Sequence, residues 1–181
     1  MRYLLILLFI ISCNSIPVDN NLNLLPSVQV LSNLEEFSNL NPKNVLTAYS
    51  ISNNELPIRY GDIEQVELSD SNKSIIDFGI DEQMDLKKEG YTLKIDNKKI
   101  TIRAKDSAGL FYAFITLDQI IEDSKNNQTT LPMVDIKDFP SLEFRPIHID
   151  IKHHTEKKTY YFNLIDHLAK LKVNGIIVEF E

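Results

Sequence analysis

An α/β fold follows from three features of this 181-residue chain. Two strands of alternating apolar residues flank Asp96, a helix-period apolar stripe follows directly behind them, and a strand–helix–strand run occupies the C-terminal end. Period 2 marks half-buried strands and period 3.6 an amphipathic helix, so their interleaving predicts a sheet backed by helices.

The first element is not part of that fold. Leu4 to Ile11 is an unbroken apolar run behind Arg2, the layout of an export signal, and it is far short of the about 20 residues a membrane-spanning helix needs. The sequence Ile10-Ile11-Ser12-Cys13 then resembles the lipobox of bacterial lipoproteins, and Cys13 is the single cysteine of the chain. The expectation is a signal peptide over 1–12, cleavage, and a lipid on Cys13 that tethers an exported protein to the periplasmic or cell-surface face of an envelope membrane. The alternative is an ordinary secretory signal with an incidental cysteine. With one thiol no internal disulfide forms, so the fold rests on burial alone. Loss of residues 1–12 removes only Arg2 and moves the formal charge from -7 to -8, a balance that argues against nucleic acid as a partner.

Residues 13–25 are Asn-rich and aperiodic and are expected to form the tether. A folded domain is then expected over 26–140. Short apolar runs at Val28–Leu31, Val45–Tyr49 and Ile75–Ile80 alternate with polar clusters, the spacing of strands and loops with one short helix among them. Next, Tyr91, Leu93 and Ile95 alternate with polar residues, as do Ile100, Ile102 and Ala104, on either side of Asp-Asn-Lys-Lys: a hairpin. Asp106 is placed to cap a helix whose stripe is Leu110, Phe114, Leu117 and Ile121, and small Ala108 and Gly109 let its first turn approach the sheet. The loop Ser124–Thr130 ends it, and the strand Leu131–Asp138 runs into the turn at Phe139-Pro140.

After that proline the pattern becomes Phe144–Ile151 strand, polar loop, Thr159–Lys172 helix, and Asn174–Glu181 strand. The helix is expected to bury Tyr161, Leu164, Ile165, Leu168 and Leu171 and to expose Asp166, His167 and Lys170. A connection of this length makes a right-handed crossover between parallel strands. One such unit is not a stable sheet, so the second fold, 141–181, is expected to be incomplete within these residues, a fragment of something larger.

The stretches GYTLKIDNKKITIRAKDSAGLFYAFITLDQII, LPMVDIKDFP, FRPIHIDIKHH and Lys172-Val173-Asn174 resemble glycoside hydrolase family 20, the β-N-acetylhexosaminidases. The likeness is close over 85–181 and general over 24–84. It implies an accessory α+β domain followed by the first β-α-β of a truncated (β/α)8 TIM barrel. It also implies an exo-acting glycosidase that removes terminal N-acetylhexosamine from glycans without a cofactor. In that family the substrate's acetamide oxygen attacks the anomeric carbon, an Asp stabilises it, and a neighbouring Glu protonates the leaving oxygen, an exception to the scheme of two enzyme carboxylates. That Asp-Glu pair belongs to a later strand, so no catalytic residue is expected in this chain and the chain alone is expected to be inactive.

The resemblance assigns substrate contact to Arg145, whose fork of donors suits sugar hydroxyls, and to Asp150 at the far end of the same strand. The alternatives are a surface or interdomain ion pair for Arg145 and a structural anchor for loop donors at Asp150. Pro146 replaces the family's glycine, fixing φ and removing a donor. His153 and His154 are adjacent on a loop with no third ligand near, so no metal is expected. Glu179 and Glu181 share a strand face, either as a close carboxylate pair or as a solvated strand end. A non-catalytic carbohydrate-binding or interaction lipoprotein, and a glycosidase of a neighbouring family with the same accessory domain, are the competing functional readings.

Overall fold

The computed structural model of the chain describes residues 22–45, 75–152 and 155–180. Cys13, where a lipid is expected, the pair His153 and His154, Glu181 and most of the apolar run Val45–Tyr49 lie outside these residues.

Strand β1 (Val30–Phe37) leads into a single helical turn, α1 (Pro42–Val45), then β2 (Ile76–Ile80), β3 (Tyr91–Ile95), β4 (Ile100–Ala104), helix α2 (Ser107–Asn126) and β5 (Pro132–Asp138). Their spatial order is β1-β5-β3-β4-β2. All neighbours are antiparallel except β2 and β4, which run parallel. The predicted hairpin is the centre of this sheet. Asp96 accepts hydrogen bonds on its carboxylate from the Lys98 and Lys99 amides at 3.0 and 2.8 Å, an Asx turn that sets the register Leu93↔Ile102. Alternation then puts Leu93, Ile102 and Ile136 side by side on one face, each fully buried.

Helix α2 covers that face. Asp106 caps it as expected, accepting from the Gly109 amide at 2.8 Å, and its second carboxylate oxygen accepts from the Glu89 amide at 2.8 Å. The expected stripe of Leu110, Phe114, Leu117 and Ile121 is buried, and Tyr112, Ala113, Ile115 and Ile120 are buried with it. This width has a cause on the helix's outer side. Leu24, Leu40 and Val45 belong to the same core, and the Gln119 amide pairs with the backbone of Leu25, donating to its carbonyl at 2.7 Å and accepting from its N–H at 2.8 Å. Residues up to 25 were expected to be tether; instead Leu24 is core and Leu22 packs against it. The helix also runs to Asn126, three residues into the expected loop, because Ser124 is buried and the chain leaves the helix only at Gln128, in the left-handed region with φ 57°.

Strands β6 (Pro146–Asp150) and β7 (Gly175–Glu179) pair in parallel, in register Pro146↔Gly175 to Asp150↔Glu179, with α3 (Lys158–Lys170) between them in the chain. Pro146 occupies the first strand position, where its missing N–H costs no internal ladder bond. The expected buried face of α3 is a correction: only Leu168 is buried, and Ile165 and Leu171 are nearly half exposed. A two-stranded ribbon is too narrow to cover a helix face, and Ile147, Ile176, Ile177 and Val178 are themselves exposed. Among the described residues no helix is long and apolar enough to cross a membrane.

Candidate functional site

The two parts of the fold meet at a cleft of about 290 Å³ whose walls include Glu89, Tyr91, Tyr112, Asp138, Arg145 and Lys172. Asp138, the last residue of β5, is its hub. One carboxylate oxygen accepts from the Gln29 backbone N–H at 3.2 Å; the other accepts from the Tyr91 hydroxyl at 2.9 Å and from the Lys172 ammonium at 2.8 Å. The Tyr91 hydroxyl lies 2.6 Å from Thr116 Oγ1 and 2.9 Å from Lys172 Nζ. Tyrosine has one proton to give, and the carboxylate can only accept it, so Thr116 and Lys172 both donate to the phenol.

Burial sets the electrostatics. Desolvation lowers the Lys172 pKa from the ordinary lysine value, opposed by the hydrogen bond and charge of Asp138. Desolvation likewise pushes the Tyr91 phenol far up, with the Asp138 charge acting in the same direction, so the hydroxyl stays protonated. Tyr112 is raised by burial and by the Glu89 charge.

Arg145 forms the second contact between the parts. Its Nη2 donates to Glu89 at 2.5 Å and to the Tyr112 hydroxyl at 3.2 Å, Nε donates to the Lys172 carbonyl at 2.9 Å, and Nη1 to the Leu142 carbonyl at 2.7 Å. Four of five guanidinium N–H groups are thus engaged within the chain. Its backbone amide donates to Asn174 Oδ1 at 2.8 Å, and the Asn174 amide donates to Glu89 Oε1 at 3.3 Å. The cleft therefore brings Arg145 to the Lys172–Asn174 segment, two motifs quoted separately in the sequence. It does not bring Arg145 to Asp150, which stands at the opposite end of β6, ~16 Å away at the usual strand rise. There Asp150 accepts from the Lys152 amide at 2.9 Å, and Glu179 pairs with His148 at 3.0 Å and with Lys152. Among the described residues no three His, Cys, Asp or Glu side chains gather as metal ligands.

Glu89, Tyr91, Tyr112, Asp138 and Lys172 were not singled out as site residues in the sequence. Asp138 and Lys172 stand in stretches that carried the family likeness, yet nothing in their spacing says that they touch.

The model for glycosyl hydrolase family 20, domain 2, matches residues 23–139. The chain belongs to glycosyl hydrolase family 20. A β-hexosaminidase of Porphyromonas gingivalis is 32% identical over 117 residues, 61% of this chain and 15% of that protein. The N,N'-diacetylchitobiase of Vibrio harveyi is 31% identical over 93 residues, 51% of this chain and 10% of that protein. The chain thus spans only a small part of the length of these family 20 relatives. Among solved structures, the Flavobacterium johnsoniae chitobiase superposes with a TM-score of 0.66 at 20% identity, covering 87% of this chain and 27% of that one. The β-N-acetylhexosaminidase of Bacteroides fragilis does so with a TM-score of 0.64 at 19% identity, covering 86% and 32%. The mixed sheet β1-β5-β3-β4-β2 backed by α2 is the family 20 domain 2 fold, and Asp138 is the next-to-last residue of the matched range.

Proposed function

We propose that the chain is the N-terminal portion of an exo-acting β-N-acetylhexosaminidase: an accessory domain followed by the first strand, helix and second strand of a catalytic (β/α)8 barrel. The observation that carries this is the family 20 match over 23–139, followed at once by a parallel strand–helix–strand unit. Two further facts support the barrel. A superposition covering 87% of the chain is longer than residues 1–139, so part of 140–181 is included in it. The exposed apolar residues of β6, β7 and α3 also suit strands and helices that go on to be covered by later barrel units.

In the complete enzyme the substrate is a glycan ending in β-linked N-acetylhexosamine. The acetamide oxygen attacks the anomeric carbon as the glycosidic oxygen leaves with a proton from the Glu of the later Asp-Glu pair; water then opens the cyclised intermediate. Asp150, at the carboxyl end of its strand, is placed where barrel enzymes bind substrate, whereas Arg145, at the amino end and bonded to Glu89 and Tyr112, fits the interdomain ion pair better than a sugar contact. Export through residues 1–12 and a lipid on Cys13 would hold the enzyme at the cell envelope beside the products it releases.

The test of the mechanism is inhibition. The product of the whole reading frame that contains these residues should be inhibited competitively by a thiazoline that mimics the cyclised acetamide, as a substrate-assisted enzyme would be. A glycosidase activity indifferent to that mimic contradicts the reading.

A further inference from the structure

We propose that Lys172 is a docking latch: its ammonium, bonded to Tyr91 and Asp138, with Thr116 bonded to Tyr91 in turn, fixes the strand–helix–strand unit on the accessory domain and so sets where β6 and Arg145 lie. The first ground is the backbone. The Val173 amide donates to the Leu168 carbonyl at 3.0 Å and the Lys172 amide to the Ala169 carbonyl at 2.9 Å, the two bonds of a Schellman turn closing α3. Lys172 is the left-handed residue of that turn, with φ 57°. That position favours glycine, which reaches the left-handed region without steric cost. A lysine there is unfavourable for the turn itself, and its side chain is what the position supplies.

The second ground is where that side chain goes. Lys172 crosses from the end of α3 to the end of β5, and both it and Asp138 leave only about a tenth of their side chains exposed (9% and 10%). A buried ammonium persists only where its partner and remaining donors are matched, and here Tyr91 and Asp138 both accept from it. The third ground repeats the pattern on the other side of the cleft. Glu89 also lies in the left-handed region, φ 62°, and also spends its side chain across the junction, on Arg145 and Asn174. Backbone strain at two positions is thus matched by two cross-junction contacts.

The latch is read from hydrogen exchange in the full chain, not from activity, so it stands or falls separately from the glycosidase reading. A two-stranded ribbon is not stable by itself, so release of the unit should expose the amides of β6 and β7. Both Lys172→Met and Lys172→Gly are expected to speed exchange there by about tenfold or more while β3 and β4 change by less than about twofold. The glycine variant is the decisive one, because it relieves the turn while removing the ammonium. Unchanged or slower exchange of β6 and β7 in Lys172→Gly would overturn the latch, as would an equal increase in β3 and β4, which would make Lys172 a contributor to overall stability only.

Discussion

Replacing Asp138 with alanine is expected to lower the stability of the chain by about 3–5 kcal/mol, the cost of leaving a buried charge without its partner. The loss has three parts. Lys172 keeps an ammonium in a dry site, the Tyr91 hydroxyl loses its acceptor, and the Gln29 amide loses the carboxylate that ties the N-terminal segment to β5. The pH dependence separates the charge from the rest. Burial already holds the Lys172 pKa below its ordinary 10.5 and Asp138 opposes that shift, so without Asp138 the shift deepens. A lysine with a lowered folded pKa makes the unfolded chain bind more protons, and stability then rises with pH through the window from the folded value up to the unfolded one. Urea unfolding should show the deficit of Asp138→Ala shrinking as pH is raised from neutral toward 10.5. A deficit under about 1 kcal/mol at neutral pH, or one that grows with pH, would show that the pair is not the buried one described.

Gly109→Val is expected to cost about 3 kcal/mol, at the upper end of what overpacking usually does. Helix propensity argues the other way, since glycine inside a helix is worse than alanine by about 1 kcal/mol and worse than valine by less. Sterics decide. A Cβ at 109 would stand 2.5 Å from the Gly90 carbonyl oxygen and 3.0 Å from the Glu89 carbonyl carbon, both backbone atoms that cannot rotate away. Gly90 is held in place by the hydrogen bond its carbonyl accepts from the Lys105 amide at 2.9 Å. The same corner holds Glu89 for Arg145, so the thermal unfolding midpoint should fall and the Glu89–Arg145 contact should loosen together. A neutral or stabilised variant would mean that the α2–β3 corner yields more easily than its hydrogen bonds imply.

Legibility in the sequence followed the range of the signal. The β3–β4 hairpin and the α2 start were readable because Asp96 and Asp106 act on amides two or three residues away, and alternation reports the buried face directly. The approach of α2 to the sheet was readable from Gly109. The parallel pairing of β2 with β4, and the placing of β5 between β1 and β3, were not, because partner choice is decided by packing between distant segments. The packing of Leu24 onto α2 was missed for the same reason: nothing local in an Asn-rich stretch says that its leucines find a helix. At the cleft, Arg145 was visible as a residue of interest, but its partners Glu89 and Tyr112 lie 56 and 33 positions away. Lys172 was hidden more deeply. Helix ends are found from glycine, and here the left-handed position carries a lysine instead.

The measurement that tests the central claim most directly is release of nitrophenol from an aryl β-N-acetylglucosaminide. On the proposed reading the 181-residue chain should release none, since that reading puts the acid and the acetamide-stabilising carboxylate on a later strand. The product of the complete reading frame should release it, and should leave the corresponding aryl glucoside, which lacks the acetamide, intact. Turnover by the chain alone, or equal turnover of both substrates by the complete product, would contradict the account.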